Sequence, residues 1–158
     1  MRTGPLIAAA RGALALALAL SWAGSVQAKT CTITGNGVAF GVYDPTSAAN
    51  VDTIGSVDFE CDGKFNGTLK LGVGTGVGAS FSGGRNMTRA GGGSTLRYNL
   101  YANATRTQVF GDGTGGSVTL NIDANKTFNQ KIWGRAPGGQ NTVLAGVYGD
   151  VVVVTFSY

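Results

Sequence analysis

Apolar and polar residues alternate with a period of two along most of the chain, and helical spacing is almost absent. In residues 56–62 (SVDFECD), Val57, Phe59 and Cys61 alternate with Asp58, Glu60 and Asp62, which makes one face buried and the other wet. The same rule puts Leu96, Tyr98 and Leu100 on one face of residues 95–102, and Val118, Leu120 and Ile122 on one face of residues 117–123. Residues 38–40, 68–73 and 131–133 are shorter strand candidates. Between these runs stand glycine clusters such as GVGTGVG at 72–78, GGG at 91–93 and GDGTGG at 111–116, which are turn chemistry. Many short strands separated by glycine turns predict an all-β domain, an antiparallel β-sandwich.

The last eight residues, VVVVTFSY at 151–158, form the most apolar strand candidate. Val152, Val154, Phe156 and Tyr158 fall on one face, while Thr155 and Ser157 help to mark the other. An edge strand this apolar invites aggregation unless charge or proline blunts it, and neither follows Asp150. A neighbouring strand supplied by another chain would remove the hazard. So would a central place in a complete sandwich, and the pattern alone leaves both open.

The N-terminus follows a different logic. Arg2 and Arg11 precede GALALALALSWA at 12–23, and Val26 and Ala28 place small residues at −3 and −1 of a cleavage site after Ala28. This is the layout of a secretory signal, with an apolar run shorter than the roughly 20 residues that span a bilayer. Residues 1–28 are therefore expected to be removed, leaving an exported domain over 29–158. Export to an oxidising compartment changes the reading of the two cysteines, Cys31 and Cys61, which are expected to pair. The alternative, a free reactive thiol, has no histidine to activate it.

Composition narrows the chemistry further. The chain has 158 residues, 27 glycines and no histidine, which excludes histidine-based triads, relays and metal sites. Lys and Arg number 12 against 8 acidic residues; without Arg2 and Arg11 the balance is 10 − 8 = +2, too weak to imply a nucleic-acid partner. Asp58, Glu60 and Asp62 share one strand face, where a solvated acidic edge accounts for them better than paired catalytic carboxylates. GTGVGA at 74–79 matches a loose dinucleotide pattern, but no helix follows it. Asp112 and Asp123 lack the dense spacing of a calcium loop. The aromatic residues Phe40, Tyr43, Tyr98, Tyr101, Phe110, Trp133 and Tyr148 offer a weak case for sugar stacking, since alternation sends several of them into the core. No catalytic, cofactor or metal residue is assigned, and the chain is read as non-enzymatic.

Cys31, VAFGVYDP at 38–45, GSVDFEC at 55–61, Arg85-Asn86-Met87, LRYNLYANATRTQVFGDG at 96–113, Trp133-Gly134-Arg135 and GVYGDVVVVTFSY at 146–158 occur in one order. In that order the chain resembles the spore coat protein U family, over essentially all of residues 29–158. The resemblance implies an immunoglobulin-like sandwich lacking its last strand, as in subunits of archaic chaperone-usher pili. It also implies a surface-fibre subunit whose partners are a periplasmic chaperone, an outer-membrane usher and neighbouring subunits. Val152, Val154, Phe156 and Tyr158 would then line the groove that accepts a donated strand. A useful donor strand ahead of Cys31 needs several alternating apolar residues, and cleavage after Ala28 leaves only Lys29 and Thr30. The chain is therefore expected to accept a strand but hardly to donate one, as a tip or minor subunit would. The alternatives are a coat or matrix protein folding as a complete monomer, and a glycan-binding tip module.

Overall fold

The computed structural model describes residues 29–158, so the expected signal segment over 1–28 lies outside the described residues. Seven strands are present among the described residues: β1 (Cys31–Asn36), β2 (Val51–Leu71), β3 (Arg85–Arg89), β4 (Thr95–Tyr101), β5 (Leu120–Ala136), β6 (Tyr148–Gly149) and β7 (Val154–Ser157). Every ladder between them is antiparallel, and there is no helix among the described residues.

Two long strands carry the architecture. Residues 56–62 and 68–71, the latter the strand part of the expected 68–73, are joined in the 21-residue β2, and 131–133 belongs to the 17-residue β5. A strand this long must bend to serve both layers of a sandwich. The bend is a bulge: register shifts between Glu60 and Lys64 of β2, opposite Lys126 of β5, whose φ is 49°. Extra residues on one strand increase local twist and turn the pair. Asp62-Gly63 on one side and a lysine in the left-handed region on the other supply the necessary backbone.

The sheet order is β1-β2-β5-β4-β3-β6, with β7 paired to β2 off that path. The sheet curls into an antiparallel β-sandwich around Val57, Phe59, Phe65, Leu69, Leu71 and their partners Leu96, Leu100, Phe110, Ile122 and Ile132. Alternation accounts for this core, since Val57, Phe59 and Cys61 of β2 are buried while Glu60 and Asp62 are exposed.

Cys31 and Cys61 are direct cross-strand neighbours and are disulfide-bonded. The bridge closes a loop with a sequence separation of 30 residues. In the chain-entropy account such a loop is worth about 3–4 kcal/mol. It fixes β1, otherwise an edge strand with five exposed residues, to the bend of β2.

Candidate functional site

β1 and β6 are the two ends of the sheet path, and the curl brings them to opposite sides of one opening. One rim is Gly35 to Phe40, the other Tyr148 to Val154, and the floor is core itself: Val57, Leu71, Leu100 and Ile132. This cavity measures about 310 Å³. A second cavity of about 630 Å³ continues it, between Val38 to Pro45 on one side and Val143 to Tyr148 on the other. The two share Val38, Phe40, Met87 and Tyr148, so together they trace one apolar trough along the molecule.

The first rim is extended chain without a partner. No backbone hydrogen bond joins residues 37–43 to any other described residue. Buried backbone polar groups are paired almost everywhere in folded proteins, whereas those of this largely exposed rim are left to water. Its side chains nevertheless hold it in place. A Cβ on Gly134 would lie 2.6 Å from Val38 Cγ1 and 3.0 Å from Phe40 Cζ, so β5 must carry glycine there for the rim to sit down. Phe40 meets Tyr98 edge-on at 5.6 Å, and the Tyr43 hydroxyl donates to the Pro137 carbonyl at 2.6 Å.

The second rim is tethered from behind. β6 pairs with β3, Ala90 N–H donates to the Val147 carbonyl at 2.8 Å, and Arg89 Nε donates to the Ala145 carbonyl at 2.8 Å. Asp150 is the polar anchor. Its Oδ1 accepts from the Thr75 N–H at 2.7 Å and the Thr75 hydroxyl at 3.0 Å, and its Oδ2 accepts from the Tyr98 hydroxyl at 2.7 Å. Burial, and then the bond to Asp150, push the Tyr98 hydroxyl far above its ordinary pKa, so it stays a proton donor.

The four residues expected to line a strand-accepting groove divide into two pairs. Val152 and Val154 line the smaller cavity. Phe156 sits further along, edge-on to Phe59 at 5.0 Å and to Phe65 at 5.9 Å, over the bend of β2. Tyr158 is 72% exposed, stacks on Phe156 and borders a small surface hollow with Lys29 and Lys64. The reason is that the ladder of β7 covers only Val154–Ser157, against residues 68–71 of β2, and not the whole of 151–158. Before it the segment makes a single backbone bond to the sheet, Gly72 N–H to the Val153 carbonyl.

The first rim lies outside the residues expected to line a groove. The signal was available, in the alternation of Val38 with Phe40 inside VAFGVYDP. The expected residues also omit Arg85, which is fully buried and donates to the carbonyls of Gly72 and Phe110 and to Asn99 Oδ1. That guanidinium ties the end of β2 and the 72–78 loop to β4 and lies over the Phe81 ring at 5.2 Å. Of the candidate sugar-stacking aromatics, Tyr98 and Phe110 are buried. The acidic face is occupied by bonds: Asp58 accepts from Asn36 and Asn129. No cluster of three metal-ligating residues exists among the described residues.

A chain in the crystal structure of the CsuC-CsuE chaperone-tip adhesion subunit pre-assembly complex, from archaic chaperone-usher Csu pili of Acinetobacter baumannii, superposes with a TM-score of 0.58 at 20% identity. The alignment covers 83% of this chain and 40% of that one, so this chain spans well under half of its length. That likeness establishes a common immunoglobulin-like fold. No curated protein matches the sequence. The model of the spore coat protein U domain matches residues 17–155, nearly the whole chain, and the protein belongs to that family.

Proposed function

We propose that the protein is an exported structural subunit of a cell-surface fibre, of the archaic chaperone-usher type, and that it is assembled by accepting a strand into the trough between β1 and β6. The carrying observation is the conjunction of a first rim without backbone partners, a second rim paired to β3 from behind, and a floor made of core side chains. An extended segment laid there would hydrogen-bond to the rims and turn every second side chain onto Val57, Leu71 and Ile132. The solved complex that shares the fold joins a chaperone to a pilus subunit, which supports a chaperone as the first occupant and a neighbouring subunit as the next.

A tip or minor position in the fibre is part of the proposal. Cleavage after Ala28 would leave Lys29 and Thr30 ahead of the disulfide. Both lie against β2, with Lys29 Nζ donating to the Lys64 carbonyl at 2.7 Å and Thr30 N–H to Asp62 Oδ2 at 3.2 Å. In transit the chain would pass through the periplasm, where the bridge forms. No helix among the described residues is long and apolar enough to cross a membrane.

Val152→Asp tests the reading, because it sets a carboxylate at the trough without removing a ladder residue. Native mass spectrometry of the periplasmic protein is expected to show a one-to-one complex with a chaperone for the natural sequence and free subunit for the variant. Tyr158→Ser, outside the trough, is expected to keep the complex. A natural sequence that persists as a stable lone monomer would overturn the proposal in favour of a complete coat or matrix protein.

A further inference from the structure

Two Asn-Gly pairs occur in the chain, and the fold treats them in opposite ways. Asn66-Gly67 lies inside β2, paired with Asp123 and Ile122 of β5 and packed under Phe156. Asn36 is the exposed last residue of β1, and Gly37 begins the unpaired rim, its N–H without a hydrogen bond to any described residue.

An asparagine followed by glycine can modify itself. The glycine backbone nitrogen attacks the asparagine Cγ, the side-chain nitrogen leaves as ammonia, and a five-membered succinimide closes. Water then opens the ring at either carbonyl, giving aspartate or isoaspartate. One water is consumed, one ammonia is released, and nothing is oxidised or reduced. The attack requires a free glycine amide and an asparagine that rotates out of the extended conformation, and a strand end, where one ladder pair and two side-chain bonds have to open, reaches that state sooner than a strand interior.

We propose that Asn36 is a self-modification site whose rate reports whether the trough is filled. In the empty subunit Gly37 is free to attack. A strand hydrogen-bonded along residues 37–43 would fix that amide and stop the reaction. The product would damage the rim. Asn36 Nδ2 now donates to Asp58 Oδ2 at 2.6 Å and to Ser56 Oγ at 3.0 Å, and a carboxylate in its place would face Asp58 as a like charge. The isoaspartate form also lengthens the backbone by one carbon. Val38 and Phe40 would then lose their seat, where a Cβ on Gly55 would already approach Val38 Cγ2 within 2.7 Å and the Asn36 and Gly37 carbonyl oxygens within 2.9 Å. Subunits left unfilled would thus retire themselves from assembly.

The coupling to occupancy rests on the strand-accepting reading, whereas the modification itself does not. The experiment has two arms. The purified folded protein is held at mildly alkaline pH and mapped by peptide mass spectrometry. Asn36 is expected to convert at least about tenfold faster than Asn66, the protection that one ordinary hydrogen bond carries, with the difference vanishing in urea. Equal rates in the folded protein would overturn the site. In the second arm the chaperone complex is treated identically, and conversion at Asn36 is expected to fall about tenfold. An unchanged rate within an intact complex would overturn the coupling. Failure to form any complex would overturn the strand-accepting reading and the coupling with it, leaving the first arm to decide the modification. Asn36→Gln, whose longer side chain cannot close the five-membered ring, is expected to abolish conversion. Asn36→Asp is expected to weaken chaperone capture.

Discussion

Arg85 is a buried cation whose hydrogen bonds all go to neutral oxygens. Burial lowers its pKa from the usual guanidinium range, yet it remains charged, held by two carbonyls and Asn99 and by the Phe81 ring. Truncation would leave those oxygens unsatisfied in the core. Arg85→Met is expected to cost on the order of 1–3 kcal/mol, read as a lower urea midpoint at unchanged slope. Asp52 is the surface counterpart. Arg135, its direct neighbour across β2 and β5, donates from Nε and Nη2 at 2.7 and 2.8 Å and is the main cause of a lowered Asp52 pKa, which the charge of Arg106 lowers further. A depressed folded-state pKa means stability that is present above the unfolded carboxylate value and lost as pH falls through the folded one. Since the pair is partly solvated, Asp52→Asn is expected to cost only about 0.5 kcal/mol at neutral pH. That difference should disappear in melting curves taken below the carboxylate range.

At the scale of elements, glycines decide where the first rim can lie. Gly134→Ala would drive its Cβ into Val38 and Phe40, and the rim is the side that has to yield because β5 is paired on both edges. The expected outcome is a folded, disulfide-bonded protein with chaperone affinity reduced about tenfold or more, measured by titration; unchanged affinity would remove this rim from the site. Alternation in the sequence reveals the core faces of β2, β4 and β5, because period two is a local property. Length is different. Nothing local says that residues 56–62 and 68–71 are one strand, since Asp62-Gly63 has the composition of a turn and serves as a bulge only because Lys126 sits opposite. For the same reason residues 151–158 read as one strand, although Asp150 is tethered to Thr75 and Tyr98 and the ladder begins only at Val154. Val152 and Val154 border the trough, and from Val154 onward β7 pairs with β2 and carries Phe156 over Phe59 and Phe65. Long-range register, which no window of sequence contains, made that division.

Across the whole molecule, protection is distributed unevenly. β2 and β5 share the longest ladder, including the 16 paired positions from Val51 to Leu69, while residues 37–43 have no backbone bond. Amide hydrogen exchange is therefore expected to be slowest in β2 and β5 and near the unprotected rate in residues 37–43, with protection appearing there on complex formation. Fast exchange that persists in the complex would show that the occupant lies elsewhere. The two rims also have opposite chain directions. Gly35 faces the Val154 end and Pro45 the Val143 end, so residue numbers rise along one wall as they fall along the other. Any strand between them has one parallel and one antiparallel neighbour, whichever way it enters. The walls are therefore indifferent to the polarity of the guest, and the unequal cavities at the two ends are what distinguish one orientation from its reverse. Two partners could use the same walls head to tail, one displacing the other, with neither rim rebuilt between them.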